Sequence, residues 1–349
     1  PDRQGLLYAG TEFGLFVSFD DGGHWQPMQG DLPITPVTDL RVHRKDLVLS
    51  TQGRSFWILD DVTPLHEMDA DLAEREVHLF EPRPAYKVND GGAGELSDTA
   101  PPARPSGALI HYALPDTAAH EVRVEIIDRD ARVVRVFSSD STLAKTHKTP
   151  VLQPTEGLNR LTWDLTYEGP TFVDDAIIWG YTGGVKAPPG TYDVRLTYGD
   201  AVQSRQVEVR EDPRIADQVS DEDYREQLRL GLALRDAITE VHASIAELRS
   251  VKEQIGWLKE RTEDQELTAR AEAIVQELSA LEEQLIQTRN ESGQDPIRFA
   301  PRLDNQLVEN YGYVTGADSY ISGGREGRPS EAAYERWTDL EKEWSTLKV

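Results

Sequence analysis

Along the first 65 residues, short apolar runs alternate with turn chemistry: Leu6 to Ala9, Leu15 to Phe19, Val37 to Val42, Leu47 to Thr51 and Ser55 to Leu59. Runs of this length, repeating about every ten residues, predict short antiparallel strands. From about residue 108 to 210 the period is two. Val122, Val124 and Ile126 alternate with charged residues, as do Leu161, Trp163 and Leu165, and later Tyr192, Val194 and Leu196. Such alternation predicts antiparallel strands with one wet face. Asp128-Arg-Asp-Ala131 reads as a hairpin turn, and Pro188-Pro-Gly-Thr-Tyr192 as a turn feeding a strand. After Pro213 the period becomes helical. Leu234, Ile238, Val241, Ile245, Leu248 and Ile255 form one stripe, and Leu267, Ala271, Ile274, Leu278, Leu281 and Leu285 form a second.

Helix boundaries are legible in the same way. Ser220 with Asp223, and Thr262 with Gln265, have the spacing of capping boxes. The narrow stripes predict a coiled-coil-like antiparallel hairpin. A third helix is expected from Ser330, after Pro329, carrying Tyr334, Trp337, Leu340, Trp344 and Leu347 to close a three-helix bundle. Residues 292–329, rich in Gly, Pro and Tyr, read as a long connection. Residues 66–107 read as a linker: Asn89 to Gly94 and Pro101 to Gly107 are too rich in Gly and Pro for regular structure, and only Val77-His-Leu-Phe80 alternates like a strand.

The expected organisation is a mainly β, multidomain chain with α at its end. It comprises strands over 1–65, the linker over 66–107, an immunoglobulin-like or FlgD-like β-sandwich over 108–212, and a helical hairpin or three-helix domain over 213–349. A length of 349 residues fits two or three domains, since single cores stop growing beyond roughly 250 to 300 residues.

One short run adds identity to the pattern. Ser18-Phe19-Asp20-Asp21-Gly22-Gly23-His24-Trp25 fits S-x-D-x-G-x-x-W, an Asp-box, set between two strand-like segments. Asp20 is expected to accept hydrogen bonds from the turn, Gly22 or Gly23 to take positive φ, and Trp25 to pack back over the hairpin. The box, with Gly10-Thr-Glu-Phe-Gly-Leu-Phe16 before it and Asp46 to Asp61 after it, resembles the closing blades of bacterial BNR/VPS10-like (sortilin- and sialidase-type) β-propeller proteins. The resemblance is specific over residues 1–65. It implies terminal propeller blades, with the Asp-box residues Ser18, Asp20, Gly22 and Trp25 in a structural role. A propeller normally has ~4 to 8 blades and two at most fit here, so upstream blades are expected in addition. Gln52 stands where such proteins are expected to carry His.

Charge and composition then narrow the function. Sixty-two acidic against 37 basic residues give a formal charge of −25, which disfavours nucleic acid and anionic membranes as partners. No cysteine is present, so disulfides, thiolate metal sites and a Cys nucleophile are excluded. No stretch approaches the ~20 apolar residues of a membrane span. The chain opens on Pro1 in a strand pattern, and the resemblance implies export to the periplasm or outside the cell with a signal peptide upstream.

No metal, cofactor or catalytic residue is expected. The eight histidines are scattered without H-E-x-x-H, and no G-x-S-x-G, P-loop or dinucleotide fingerprint occurs. Asp20, Asp21, Asp128 and Asp130 read as turn residues rather than cation ligands, and Asp60-Asp61 as a strand-end turn rather than carboxylates presented at a propeller rim. Trp57 and Trp163 fall on inward strand positions. Arg54, in a Gln-Gly-Arg-Ser turn, and Trp179, beside Gly180-Tyr181, are the candidate ligand contacts, for an anionic group and for a sugar or side chain respectively. The expected role is non-catalytic binding or scaffolding toward a protein or carbohydrate ligand. The alternative is the non-catalytic C-terminal portion of a sialidase-like glycoside hydrolase, whose reacting groups would come from other blades.

Overall fold

The computed structural model describes residues 2–69, 72, 77–88, 105–115, 120–316 and 326–348. The linker runs expected at 89–94 and 101–104 lie outside the described residues. The chain is a mixed α/β protein of several antiparallel sheets followed by helices, in two compact units. The first comprises Pro1–Tyr86, Gly94–Leu165 and Gly190–Arg210; the second comprises Lys87–Ala93, Thr166–Pro189 and Glu211–Val349.

In the first unit, β1 (Leu7–Thr11), β2 (Gly14–Ser18) and β3 (Gln26–Pro27) form one antiparallel sheet, and β4 (Val37–His43), β5 (Asp46–Thr51) and β6 (Phe56–Leu59) form another. Leu15 of β2 and Leu47 and Leu49 of β5 share one core with Leu32 and Val62 from the connections, with Tyr8, Met28 and Trp57 packed around it. The β1–β2 hairpin needs Gly14, whose φ is +116° and whose missing Cβ would fall on the Gln29 side-chain amide. A short helix, α1 (Pro64–Glu67), follows.

The period-two segment, joined by two short strands from the stretch expected to be a linker, gives two further sheets. β7 (His78–Leu79), β9 (Ala108–Leu114) and β12 (Gly157–Trp163) run in the order β12-β9-β7. β8 (Ala85–Tyr86), β10 (Val122–Ile127), β11 (Val133–Ser138), β13 (Gly190–Tyr198) and β14 (Ala201–Arg210) run in the order β11-β10-β13-β14-β8, in which β8 pairs parallel to β14. Val122, Val124, Ile126, Val194 and Leu196 are fully buried, as the alternation requires. Trp163 of β12 meets Tyr192 of β13 edge-on at 5.1 Å between ring centroids, so the inner faces of the two sheets share a core. The turn after β10 puts Ala131 at φ 60°, with Asp128 Oδ1 accepting from the Asp130 and Arg132 amides. A one-turn helix, α2 (Ser141–Thr146), is capped by Asp140.

The second unit is built on α3 (Asp221–Lys259), α4 (Gln265–Leu285), α5 (Leu303–Thr315) and α6 (Glu331–Leu347). Ser220 and Asp223 form the expected capping box, and Ser330 caps α6. Two local expectations are corrected. The start of α4 is capped by Asp264, whose carboxylate accepts from the Glu266 and Leu267 amides, while Thr262 serves only the Asp264 amide. An ionised acceptor directly before the first helical residue displaces a hydroxyl two positions earlier. The stretch 292–329 also contains a helix, α5, whose Leu303, Leu307, Val308, Tyr311 and Val314 are buried against α3 and α6. Its start has no side-chain cap, and its end at Gly316, in the left-handed region at φ 68°, follows the usual rule for a C-terminal glycine.

Residues Thr166–Pro189 lie with these helices. The Tyr311 hydroxyl donates to the Gly183 carbonyl, Asn305 bonds both the amide and the carbonyl of Trp179, and Tyr181 stacks on Tyr311.

Candidate functional site

The Asp-box is a closed ring of hydrogen bonds. The buried Ser18 hydroxyl donates to Asp20 Oδ1 at 2.8 Å and accepts from the Gly22 amide at 2.9 Å. Asp20 Oδ1 also accepts from the His24 amide at 2.8 Å, and Oδ2 meets His24 Nδ1 at 2.5 Å. Asp21 at φ 61° and Gly22 at φ 91° make the reversal. The His24 side chain, then its amide, then Ser18 hold the Asp20 carboxyl well below the usual carboxylate range. Trp25 is exposed, with its ring edge near Gly22.

Beside this ring opens a cleft of about 820 Å³, within the first unit. Phe19, Met28, Leu65, Met68, Leu114 and Leu158 give it apolar walls, and Asp20, Gln26, Arg3 and Asp69 supply polar groups. Its size lies in the ~300–1,000 Å³ range of small-ligand sites. Arg3 is fixed in place: its guanidinium lies 5.1 Å from the Phe19 ring centroid and donates to the Leu65 carbonyl. This cleft is the candidate site. It contains one of the motif residues, Asp20, whereas Trp25 does not line it.

Comparison with family models, with curated proteins and with solved structures gives no match.

The remaining sequence candidates are scattered. Arg54 sits with an exposed side chain in the turn between β5 and β6, where its amide donates to the Thr51 hydroxyl and its carbonyl accepts from the Trp57 indole. Trp179 belongs to the second unit, half-buried, its backbone held by Asn305. Asp128 is a turn acceptor. Among the described residues, no group of three or more His, Asp or Glu side chains is placed to hold a metal ion.

Two buried acid–imidazole pairs escape the sequence reading. In the first unit Asp61, at φ 63°, accepts at Oδ1 from the Thr63 amide and hydroxyl and turns Oδ2 toward His111 Nδ1 at 3.7 Å. Burial holds the His111 imidazole below its usual range, against the pull of Asp61 and with a small push from Arg160. In the second unit His242 Nε2 lies 4.0 Å from Asp304 Oδ2, with both side chains almost fully enclosed. The Val173 amide donates to His242 Nδ1, which leaves Nε2 carrying the proton. Burial pushes Asp304 up to about 7 and His242 down to about 4. The available signal was a lone His inside an apolar run, Ala108 to Leu114, and a His on the inward stripe of α3.

A general acid needs a carboxyl raised toward neutrality. Asp20 is held the other way, with both of its oxygens engaged by its own hairpin.

Proposed function

We propose that this chain is a non-catalytic binding or scaffolding module of the BNR/VPS10-like propeller class, exported, with the Asp-box cleft as its ligand site. On this reading the β1–β3 and β4–β6 sheets are propeller blades, β7–β14 form an immunoglobulin-like sandwich, and α3–α6 form a helical bundle. The observation that carries the reading is the Ser18–Asp20–His24 ring. Its carboxylate is committed to the turn while the neighbouring walls are left apolar. Exposed Phe56 and Ile58, on one face of the edge strand β6, support it further, since an apolar strand left unpaired at a sheet edge is a template for further pairing. An apolar cleft with one anchored guanidinium favours a ligand with an apolar face, either a protein segment or a sugar ring.

Saturation-transfer NMR with 3′-sialyllactose, maltohexaose and an apolar hexapeptide tests this. Binding that disappears in Leu158→Lys, with no sugar released, is the expected result. Release of sugar that is lost in Asp20→Asn or Asp69→Asn would replace it with the hydrolase reading, and saturation of none of the probes would remove the cleft as the site.

A further inference from the structure

Beyond Ile245, α3 has no buried residue, and α4 has none before Glu282. The segments Ala246 to Lys259 and Gln265 to Leu281 therefore pair as an arm of about 20 Å at ~1.5 Å per residue, outside the core that buries Leu234, Ile238, Val241 and Ile245. The arm is apolar where the core is not there to cover it. Trp257 is 55% exposed, Leu258 59%, Leu267 53% and Ile274 46%, and Val251, Ile255 and Leu258 recur at i, i+4 and i+7 on α3. Two helices with stripes of this kind are marginal alone in water and gain stability by burying that surface. Exposed apolar residues that recur along one helical hairpin mark an interaction surface when they form a contiguous patch.

The charges around it select the occupant. Every cation of the arm is engaged within the chain. Arg249 and Lys252 both reach Glu282, Lys259 reaches Glu272 and Arg270 reaches Glu266. Arg261 lies over the Trp257 ring at 4.0 Å and donates to the Trp257 carbonyl. Glu253, Glu260, Glu263 and Glu277 make no ion pair among the described residues. The arm thus presents apolar residues framed by uncompensated carboxylates. A second copy would bring one acidic arm against another, and an anionic bilayer would be repelled in the same way.

We propose that the distal arm of the α3–α4 hairpin docks a cationic amphipathic helix of a partner protein. Apolar residues of that helix at i, i+3, i+4 and i+7 would cover Leu258, Leu267 and Ile274 while its Lys or Arg residues meet the free carboxylates. Titration calorimetry of the whole chain with a Leu/Lys amphipathic helical peptide, alongside a scrambled peptide of the same composition, tests this.

The expected result is saturable one-to-one binding of the patterned peptide alone, weakened at least ~10-fold in Leu258→Lys/Ile274→Lys and weakened by salt. In the wild-type chain the same peptide should slow amide exchange over Ala246 to Leu281 and leave α5 unchanged, a readout that does not depend on the variant folding. Equal binding of the scrambled peptide, no binding, or sedimentation of the free chain as a dimer that the two substitutions dissolve would overturn the proposal.

Discussion

At the scale of single residues, the buried pair of His242 and Asp304 makes a prediction whose sign depends on which partner is removed. The unfolded chain protonates its histidine below about 6.5, whereas folded His242 resists until about 4, so this group alone costs stability as pH falls through that window. Asp304 acts oppositely. Unfolded it ionises above about 3.9, folded only near 7, so it alone costs stability as pH rises from about 4 to 7. In the intact pair the folded state holds neutral imidazole and protonated carboxyl, and the unfolded state holds imidazolium and carboxylate. The proton counts match and the two slopes cancel. Asp304→Asn should therefore lose stability on acidification from pH 6.5 to 4.5 relative to wild type, and His242→Phe on alkalinisation over the same range, each approaching about 1.4 kcal/mol per pH unit. Urea unfolding at the two pH values reads both signs. At the Asp-box the expectation is directional: Ser18→Ala leaves the Gly22 amide and Asp20 Oδ1 without their shared partner, and faster amide exchange across residues 18–25 should follow.

At the scale of elements, residues that look alike in the sequence part company. Leu307 on α5 is completely buried, whereas Leu267 on α4 is half exposed. Leu307→Ala should cost about 2–5 kcal/mol, and Leu267→Ala should stay within about 0.5 kcal/mol. Denaturant unfolding of the two variants separates core from arm. Asp264→Ala, which removes the acceptor of the Glu266 and Leu267 amides, should cost about 1 kcal/mol. The strands were legible because their signal is local: Val122, Val124 and Ile126 alternate with charges and face inward as that alternation dictates. The starts of α3 and α6 were legible because Ser220 and Ser330 are caps in sequence and in fact. α5 was hidden because Gly312, two tyrosines and two asparagines dilute its apolar stripe, and burial by α3 and α6 is what makes it a helix. The cleft was hidden for a similar reason. Its walls come from residues as far apart in sequence as Phe19, Leu65, Leu114 and Leu158, which only the packing of separate sheets brings together.

At the scale of the whole molecule, a formal charge of −25 sets the background against which every partner must bind. Self-repulsion of this size is screened within a Debye length of about 10 Å at 0.1 M salt, so the thermal midpoint should rise as sodium chloride increases from low to physiological concentration, as scanning calorimetry can show. No helix among the described residues is long and apolar enough to cross a membrane. The proposed binding role has Asp20 as a fastening for its hairpin, with both carboxylate oxygens committed to the turn. The most direct measurement is the titration of the Asp20 side-chain carboxyl followed by carbon-13 NMR in the intact chain. A midpoint well below the ordinary aspartate value of about 3.9, shifting upward in Ser18→Ala, is the predicted result; a midpoint at or above that value would contradict it.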